Sequence, residues 1–91
     1  MYKIEESVFI RKENKQGDEI YLVYVGVSNR MFEINVDAYK CLSIVMECDS
    51  EEDCVVKLID LFPDTDINVL VTRFRECLEF FLTIGVLQVT R

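Results

Sequence analysis

Apolar residues follow two different periods along this chain, an alternating one first and a helical one afterwards. Residues 7–12 and 19–27 are rich in Val, Ile, Tyr and Phe, and the NKQGD segment between them supplies turn-forming residues. This pattern predicts a β-hairpin. Ser28 and Asn29 suit a second tight turn before a short strand over residues 30–34, because asparagine tolerates positive backbone angles. We therefore predict a three-stranded antiparallel meander.

Three amphipathic helices are predicted from Asn35 onwards, and Asn35 is the expected N-cap of the first. That helix should end near Asp49. Ser50 and Asp53 resemble a capping box that opens the second helix, and Pro63 ends it. The apolar stripes of the three helices are, in order, Ala38, Cys41, Leu42, Val45 and Cys48; Cys54, Val55, Leu58, Ile59 and Phe62; and Ile67, Leu70, Val71, Phe74, Cys77, Leu78, Phe81 and Leu82.

The third helix is predicted to be the longest element. Asp64, Thr65 or Asp66 caps its start, and Gly85 takes the C′ position after its end. The apolar residues 86–89 should then lie against the core as a short extended segment. The order of elements predicts an α+β, winged-helix-like fold, in which a three-stranded antiparallel sheet is followed by three helices.

Composition and charge narrow the class of protein. The 91 residues are 51% hydrophobic and 30% charged, which is typical of a globular chain, and we expect residues 1–91 to form one domain. The net charge of -7 disfavours binding to nucleic acids and anionic membranes, and favours a neutral or basic partner. The sequence contains neither a signal-peptide core nor an apolar stretch of membrane-spanning length, so we expect a cytoplasmic protein.

Residues able to carry chemistry are few. The chain has no histidine, and its four cysteines form no C-x-x-C pair, so we expect buried structural thiols in preference to a redox site, and neither a metal nor another cofactor. The four are Cys41, Cys48, Cys54 and Cys77. The acidic run Glu51, Glu52 and Asp53 suits the first turn of a helix, where it complements the helix dipole. We predict that this chain is not an enzyme.

The second predicted strand is apolar on both of its faces. A sheet with one solvated face would show polar residues at every second position. One face packs on the helices, while the other requires cover from this chain, from a second copy in a homodimer, or from a partner protein. The first alternating set is Ile20, Leu22 and Tyr24, and the second, our candidate interface, is Tyr21, Val23, Val25 and Val27.

The third predicted strand lies at an edge of the meander. Its outer backbone N–H and C=O groups then have no strand partner, so the edge is either solvated or able to accept an added strand. The pattern alone favours a solvated edge.

The order of these elements resembles the PqqD-like family of RiPP recognition elements over nearly the whole chain. Three features carry the resemblance. They are Ile34-Asn35 leading into a first helix that contains Ala38, the acidic opening of the second helix, and a closing FLTIGVL segment that contains Gly85. Members of that family bind the leader region of a ribosomally made precursor peptide and present it to a modifying enzyme, such as a radical SAM enzyme, a cyclodehydratase or a protease. They catalyse no reaction themselves.

The resemblance also implies a binding site. In that family the leader peptide adds as a strand to the third strand and lies between it and the third helix. Here, the strand side of the site would be Arg30, Met31, Phe32, Glu33 and Ile34, and the helix side Val69, Leu70, Arg73, Phe74 and Cys77. Phe32 and Ile34 would form an apolar floor, and Arg73 would contact an acidic leader residue.

Two other functions fit the predicted architecture. A winged-helix DNA-binding regulator would need a basic recognition helix, whereas the third helix sets Arg73 and Arg75 against Glu76 and Glu79. The other is a structural subunit that covers an apolar face of a larger enzyme.

Overall fold

The central sheet, the three helices and a second, smaller sheet make up the fold, which a computed structural model describes for residues 2–90. The class is α+β, and a three-stranded antiparallel sheet followed by three helices is confirmed. Met1 and Arg91, the ends of the predicted domain, lie outside the described residues. The elements are β1 Tyr2–Ile4, β2 Val8–Lys15, β3 Asp18–Val25, β4 Arg30–Asn35, α1 Val36–Glu47, α2 Glu51–Leu61, α3 Ile67–Thr83 and β5 Leu87–Val89.

The hairpin of β2 and β3 is longer than the sequence predicted. Only Gln16 and Gly17 form the connection, with φ of 53° and 86°, and positive φ at both central residues is the mark of a type I′ turn. This turn continues the twist of both strands. Pairing therefore extends through Asn14 to Lys15, three residues past the predicted end of the first strand.

The connection from β3 to β4 begins earlier than predicted, at Gly26. The N–H of Gly26 donates to the carbonyl oxygen of Ser7 at 3.1 Å, and the N–H of Val27 donates to the Ser7 hydroxyl at 2.9 Å. These bonds replace the ladder, so β3 stops at Val25. Asn29 takes the positive φ, 53°, that its predicted turn position requires.

Each helix begins at a residue with a capping side chain. The side-chain oxygens of Asn35, Ser50 and Asp66 accept hydrogen bonds from backbone N–H groups two or three residues further on, at 2.8, 3.2 and 2.8 Å. The predicted caps of α1 and α2 are therefore confirmed, and Asp66 is the cap among the three candidates for α3. The first helix ends at Glu47, slightly before the predicted end, because Cys48 is extended.

The end of α3 is a Schellman motif centred on Gly85. The N–H of Val86 donates to the carbonyl of Phe81 at 2.9 Å, and the N–H of Gly85 donates to that of Leu82 at 3.3 Å. Gly85 has φ of 82°, as the predicted C′ position requires. The motif turns the chain into β5.

The second sheet pairs the first strand with the last, a contact that the sequence pattern does not predict. The short strands β1 and β5 are antiparallel, with Tyr2 opposite Val89 and Ile4 opposite Leu87. The extended conformation predicted for residues 86–89 is confirmed for Leu87–Val89, which pairs with β1, whereas Val86 belongs to the turn that ends α3.

The core lies between the helices and one face of the central sheet. Phe74, Phe81, Leu42 and Leu58 fill it from the helices, and Val23 and Val25 fill it from β3.

The structure corrects the candidate interface on β3. Val23 and Val25 are fully buried, and the Tyr21 ring stacks on Tyr39 of α1 with centroids 3.8 Å apart. Val27 is exposed but lies in the turn after the strand. The helices of the same chain therefore cover this face, and the open face is the one that carries Ile20, Leu22 and Tyr24. The sequence could not separate the two faces, because both are apolar.

Candidate functional site

The outer edge of β4 has no strand partner among the described residues. The strand order is β2-β3-β4, so β4 pairs through one side only. Arg30, Met31 and Glu33 are exposed, and at about 3.3 Å per residue the six residues of β4 offer an edge about 20 Å long. Such an edge accepts an extended segment through main-chain hydrogen bonds.

One flank of α3 forms a shallow trough, which we call the α3 groove. It runs as two adjoining depressions, of about 430 and 360 Å³, that share Arg73 and Glu76. The first continues onto the end of β4 and the start of α1 at Asn35, Asp37 and Ala38. From α3 the groove takes Asn68, Val69, Thr72, Arg73, Glu76, Cys77 and Phe80, residues that recur at helical spacing.

Aromatic contacts connect β4 to this groove. The rings of Phe32 and Phe80 meet edge to face, with centroids 6.2 Å apart and planes at 88°. The Arg30 guanidinium lies over the Phe32 ring, 5.0 Å from its centroid. Phe32 thus joins the strand edge to the end of the α3 groove.

The predicted site residues divide into surface and core. Val69, Arg73 and Cys77 line the groove, and Phe32 borders it through Phe80.

Leu70, Phe74 and Ile34 do not line the groove, which corrects their predicted role. Phe74 is 1% exposed, and the other two are also buried. Leu70 and Phe74 lie on the apolar stripe that turns α3 towards the core, and Ile34 lies opposite the covered residue Tyr21. Their contribution is to hold the walls of the groove in place.

The sequence prediction gave no role in the site to several groove residues, among them Asp37, Asn68, Thr72, Glu76 and Phe80. Phe80 is 43% exposed, although its neighbour Phe81 is buried. The sequence did contain a signal for Phe80. It is an aromatic residue that lies outside the apolar stripe of α3, so the core does not account for it.

Two arginines at the site are available for a ligand. Neither Arg30 nor Arg73 forms an ion pair within residues 2–90, whereas Arg75 donates to Glu51 at 2.9 Å and Lys15 pairs with Glu33 at 3.3 Å. A carboxylate placed beside Arg73 would therefore meet a guanidinium that has no ion-pair partner within residues 2–90, while Asp37 and Glu76 line the same groove.

The thiol of Cys77, which lines the groove, has a changed pKa. Hydrogen bonding with Cys41 lowers the pKa of Cys77 to about 7, and partial burial and the Glu76 charge oppose this shift. The same interaction raises the pKa of Cys41. The pair loses its first proton more easily than an ordinary cysteine does.

The fold and the site define a small α+β domain with a free sheet edge beside a helix groove. Comparison with family models, curated proteins and solved structures finds no match to this chain. Within residues 2–90, no helix is long and apolar enough to cross a membrane, and no three acidic or cysteine side chains are grouped to hold a metal ion.

Proposed function

We propose that this chain binds the leader region of a ribosomally synthesised precursor peptide and delivers it to a modifying enzyme. The free edge of β4, directly beside the α3 groove, is the observation that supports this function. The chain acts as a peptide chaperone or adaptor, and catalysis belongs to its partner, such as a radical SAM enzyme, a cyclodehydratase or a protease. Binding takes place in the cytoplasm.

The leader peptide adds as a fourth strand to the central sheet. Side chains of a strand alternate between the two faces, so every second side chain of the peptide turns towards the helices and enters the α3 groove. Main-chain hydrogen bonds with β4 contribute affinity without regard to sequence. Selection then depends on the side chains that enter the groove.

The lining of the groove indicates which peptides fit. Phe80 and Val69 present apolar surface, 43% and 41% exposed, and favour an apolar side chain at each position that reaches them. Arg73, between them on the helix, favours an acidic side chain. The preferred leader segment is therefore extended, and the alternate side chains that face the groove include an acidic residue flanked by apolar ones.

Titration with labelled synthetic segments of candidate leader peptides tests this function. We expect saturable binding, and amide exchange slowed in β4 and α3 but unchanged in α2. Peptides of the same composition in scrambled order are the ligand control. Protection spread evenly over the chain would contradict strand addition.

Two phenylalanines provide matched variants for the same titration. Phe80→Ala removes an exposed ring from the groove, whereas Phe9→Ala removes an exposed ring from the opposite sheet face. We expect only the first to weaken peptide binding, by about fivefold or more, since burying an aromatic ring contributes at least about 1 kcal/mol.

Absence of peptide binding together with binding of a labelled DNA duplex would instead support a DNA-binding regulator.

A further inference from the structure

The central sheet has a second apolar surface, opposite the helices, which we call the open sheet face. Phe9 and Met31 are 70% and 62% exposed there, and Tyr24 lies between them in one cross-strand row. In the adjacent row, Leu22 lies between Arg11 and Glu33. No helix or loop among residues 2–90 buries Phe9 or Met31.

This surface is unusual for a sheet exposed to water. Leu22 and Tyr24 are half-buried, and Ile20 extends the apolar strip along β3. An antiparallel sheet with one solvated face would carry polar residues at these positions. A contiguous apolar patch of this kind with a charged rim is typical of an interaction surface.

The charges on the rim are arranged to match a second copy of the same face. Arg11 and Glu33 lie on opposite sides of Leu22, where Arg11 also pairs with Glu13 and Glu33 with Lys15 of the same chain. A two-fold axis parallel to β3 exchanges the positions of β2 and β4, so Arg11 of one copy faces Glu33 of the other, and the reverse pair forms as well. The same operation sets Phe9 against Met31 and Leu22 against its own counterpart. A closed dimer requires this kind of self-complementary surface.

We propose that two copies of this chain associate through their open sheet faces into a two-fold symmetric dimer. The sheets pack face to face at about 10 Å, with strands nearly aligned, as in a β-sandwich. This inference is independent of the proposed peptide binding, which uses the edge of β4 and the other side of the sheet.

The open sheet face is small for a dimer interface. With strands about 4.8 Å apart, β2 and β3 about 26 Å long and β4 about 20 Å long, the face covers roughly 350 Å², below the roughly 800 Å² per partner of a standard stable interface. The net charge of -7 also opposes association at low ionic strength. We therefore expect a weak dimer that forms reversibly and only at high protein concentration.

Sedimentation equilibrium of the full chain tests the dimer. The wild-type mass should rise from that of one chain towards that of two as the concentration increases. Phe9→Glu places a charge in the apolar strip at an exposed position, and should reduce the association constant at least tenfold while circular dichroism stays unchanged. A wild-type chain that remains monomeric at 1 mM overturns the proposal and leaves the open sheet face to a different protein.

A charge-swap series tests the symmetry of the arrangement. Arg11→Glu sets like charges against each other across the axis, and so does Glu33→Arg, so each should weaken the dimer several-fold. The double variant restores opposite charges, and should recover most of the association constant. Association that is unaffected by either single change, or not recovered in the double variant, rejects this two-fold packing.

Discussion

Phe80 and Phe81 are adjacent in the sequence but belong to different surfaces of α3. Successive helical residues point about 100° apart, so Phe81 enters the core while Phe80 turns towards Phe32 of β4. The same rotation places Arg73 in the groove and Phe74 in the core. The groove side chains Arg73 and Phe80 therefore lie one position away from the core stripe.

Reversing the charge at Arg73 should reduce the affinity for leader peptides. Arg73→Glu removes the unpaired guanidinium from the groove and introduces repulsion against an acidic peptide residue. Loss of a charge-assisted hydrogen bond corresponds to about tenfold in affinity or more. Fluorescence anisotropy of a labelled peptide measures the change.

Arg75→Glu is the matched control, because it changes the net charge equally on the same helix. Arg75 pairs with Glu51 of α2, away from the groove, and this pair is exposed and contributes little to stability. Peptide affinity should therefore stay within about twofold of wild type. An equal loss in both variants would indicate a long-range charge effect and not a contact at Arg73.

The lowered pKa of Cys77 should make it the fastest cysteine to be alkylated. A thiol whose pKa falls from about 9 to about 7 is half thiolate at neutral pH, and the thiolate is the reactive form. Timed iodoacetamide labelling between pH 5 and 9, followed by peptide mass spectrometry, should give a midpoint near pH 7 for Cys77.

Two other cysteines provide the controls for that measurement. Cys41→Ala removes the hydrogen bond, so the midpoint for Cys77 should move upward by about one pH unit or more. Cys54 is buried, and burial raises its pKa to about 12, so it should remain unlabelled at neutral pH in the folded chain. Equal labelling rates at Cys54 and Cys77 would contradict the lowered pKa of Cys77.

At the scale of elements, the end of α3 depends on a backbone conformation that favours glycine. A Cβ added at Gly85 would meet only Val25 Cγ1, at 3.9 Å, which is ordinary contact. The cost of Gly85→Ala is therefore the strain of positive φ alone, and we expect a loss of about 1 kcal/mol in the free energy of unfolding.

Urea denaturation followed by circular dichroism measures that loss. Gly85→Asn should lose less than Gly85→Ala, because asparagine adopts positive φ more easily. Both variants should keep their peptide affinity, since Gly85 lies outside the groove. An alanine variant as stable as wild type would show that the Schellman motif is dispensable.

Elements defined by local interactions were predictable from the sequence, and contacts between distant segments were not. Asn35 and Ser50 cap their helices through bonds to residues three positions away, so the local sequence contains both partners. The β1–β5 sheet pairs Tyr2 with Val89, and three-residue strands have too little pattern to reveal a partner at that separation.

The candidate site, too, was predictable only in part from the sequence. Helical periodicity identifies the core stripe of α3, but the choice of Leu70 and Phe74 as groove residues came from family resemblance and conflicted with that stripe. Which face of β3 is open depends on where the helices pack. Since both faces are apolar, only the tertiary structure decides it.

For the whole molecule, the two proposed surfaces are compatible. Face-to-face packing of two sheets uses the open sheet face and leaves the outer edge of β4 unpaired in both copies. Each chain of the dimer would then bind one leader peptide, and the two peptides would be held at opposite edges of a sandwich. Peptide affinity per chain should not change with protein concentration across the association range.

The pairing of β1 with β5 has a consequence for how this domain is joined to other proteins. Tyr2 and Val89 are opposite each other in an antiparallel ladder, so their Cα atoms lie about 5 Å apart. A short linker between these positions would close the chain into a ring. The turn at Gln16–Gly17 has open space around Gly17. Cutting the ring at this turn would give a circular permutant. The same geometry makes the domain suitable for insertion into a surface loop of an enzyme, because its first and last strands lie side by side.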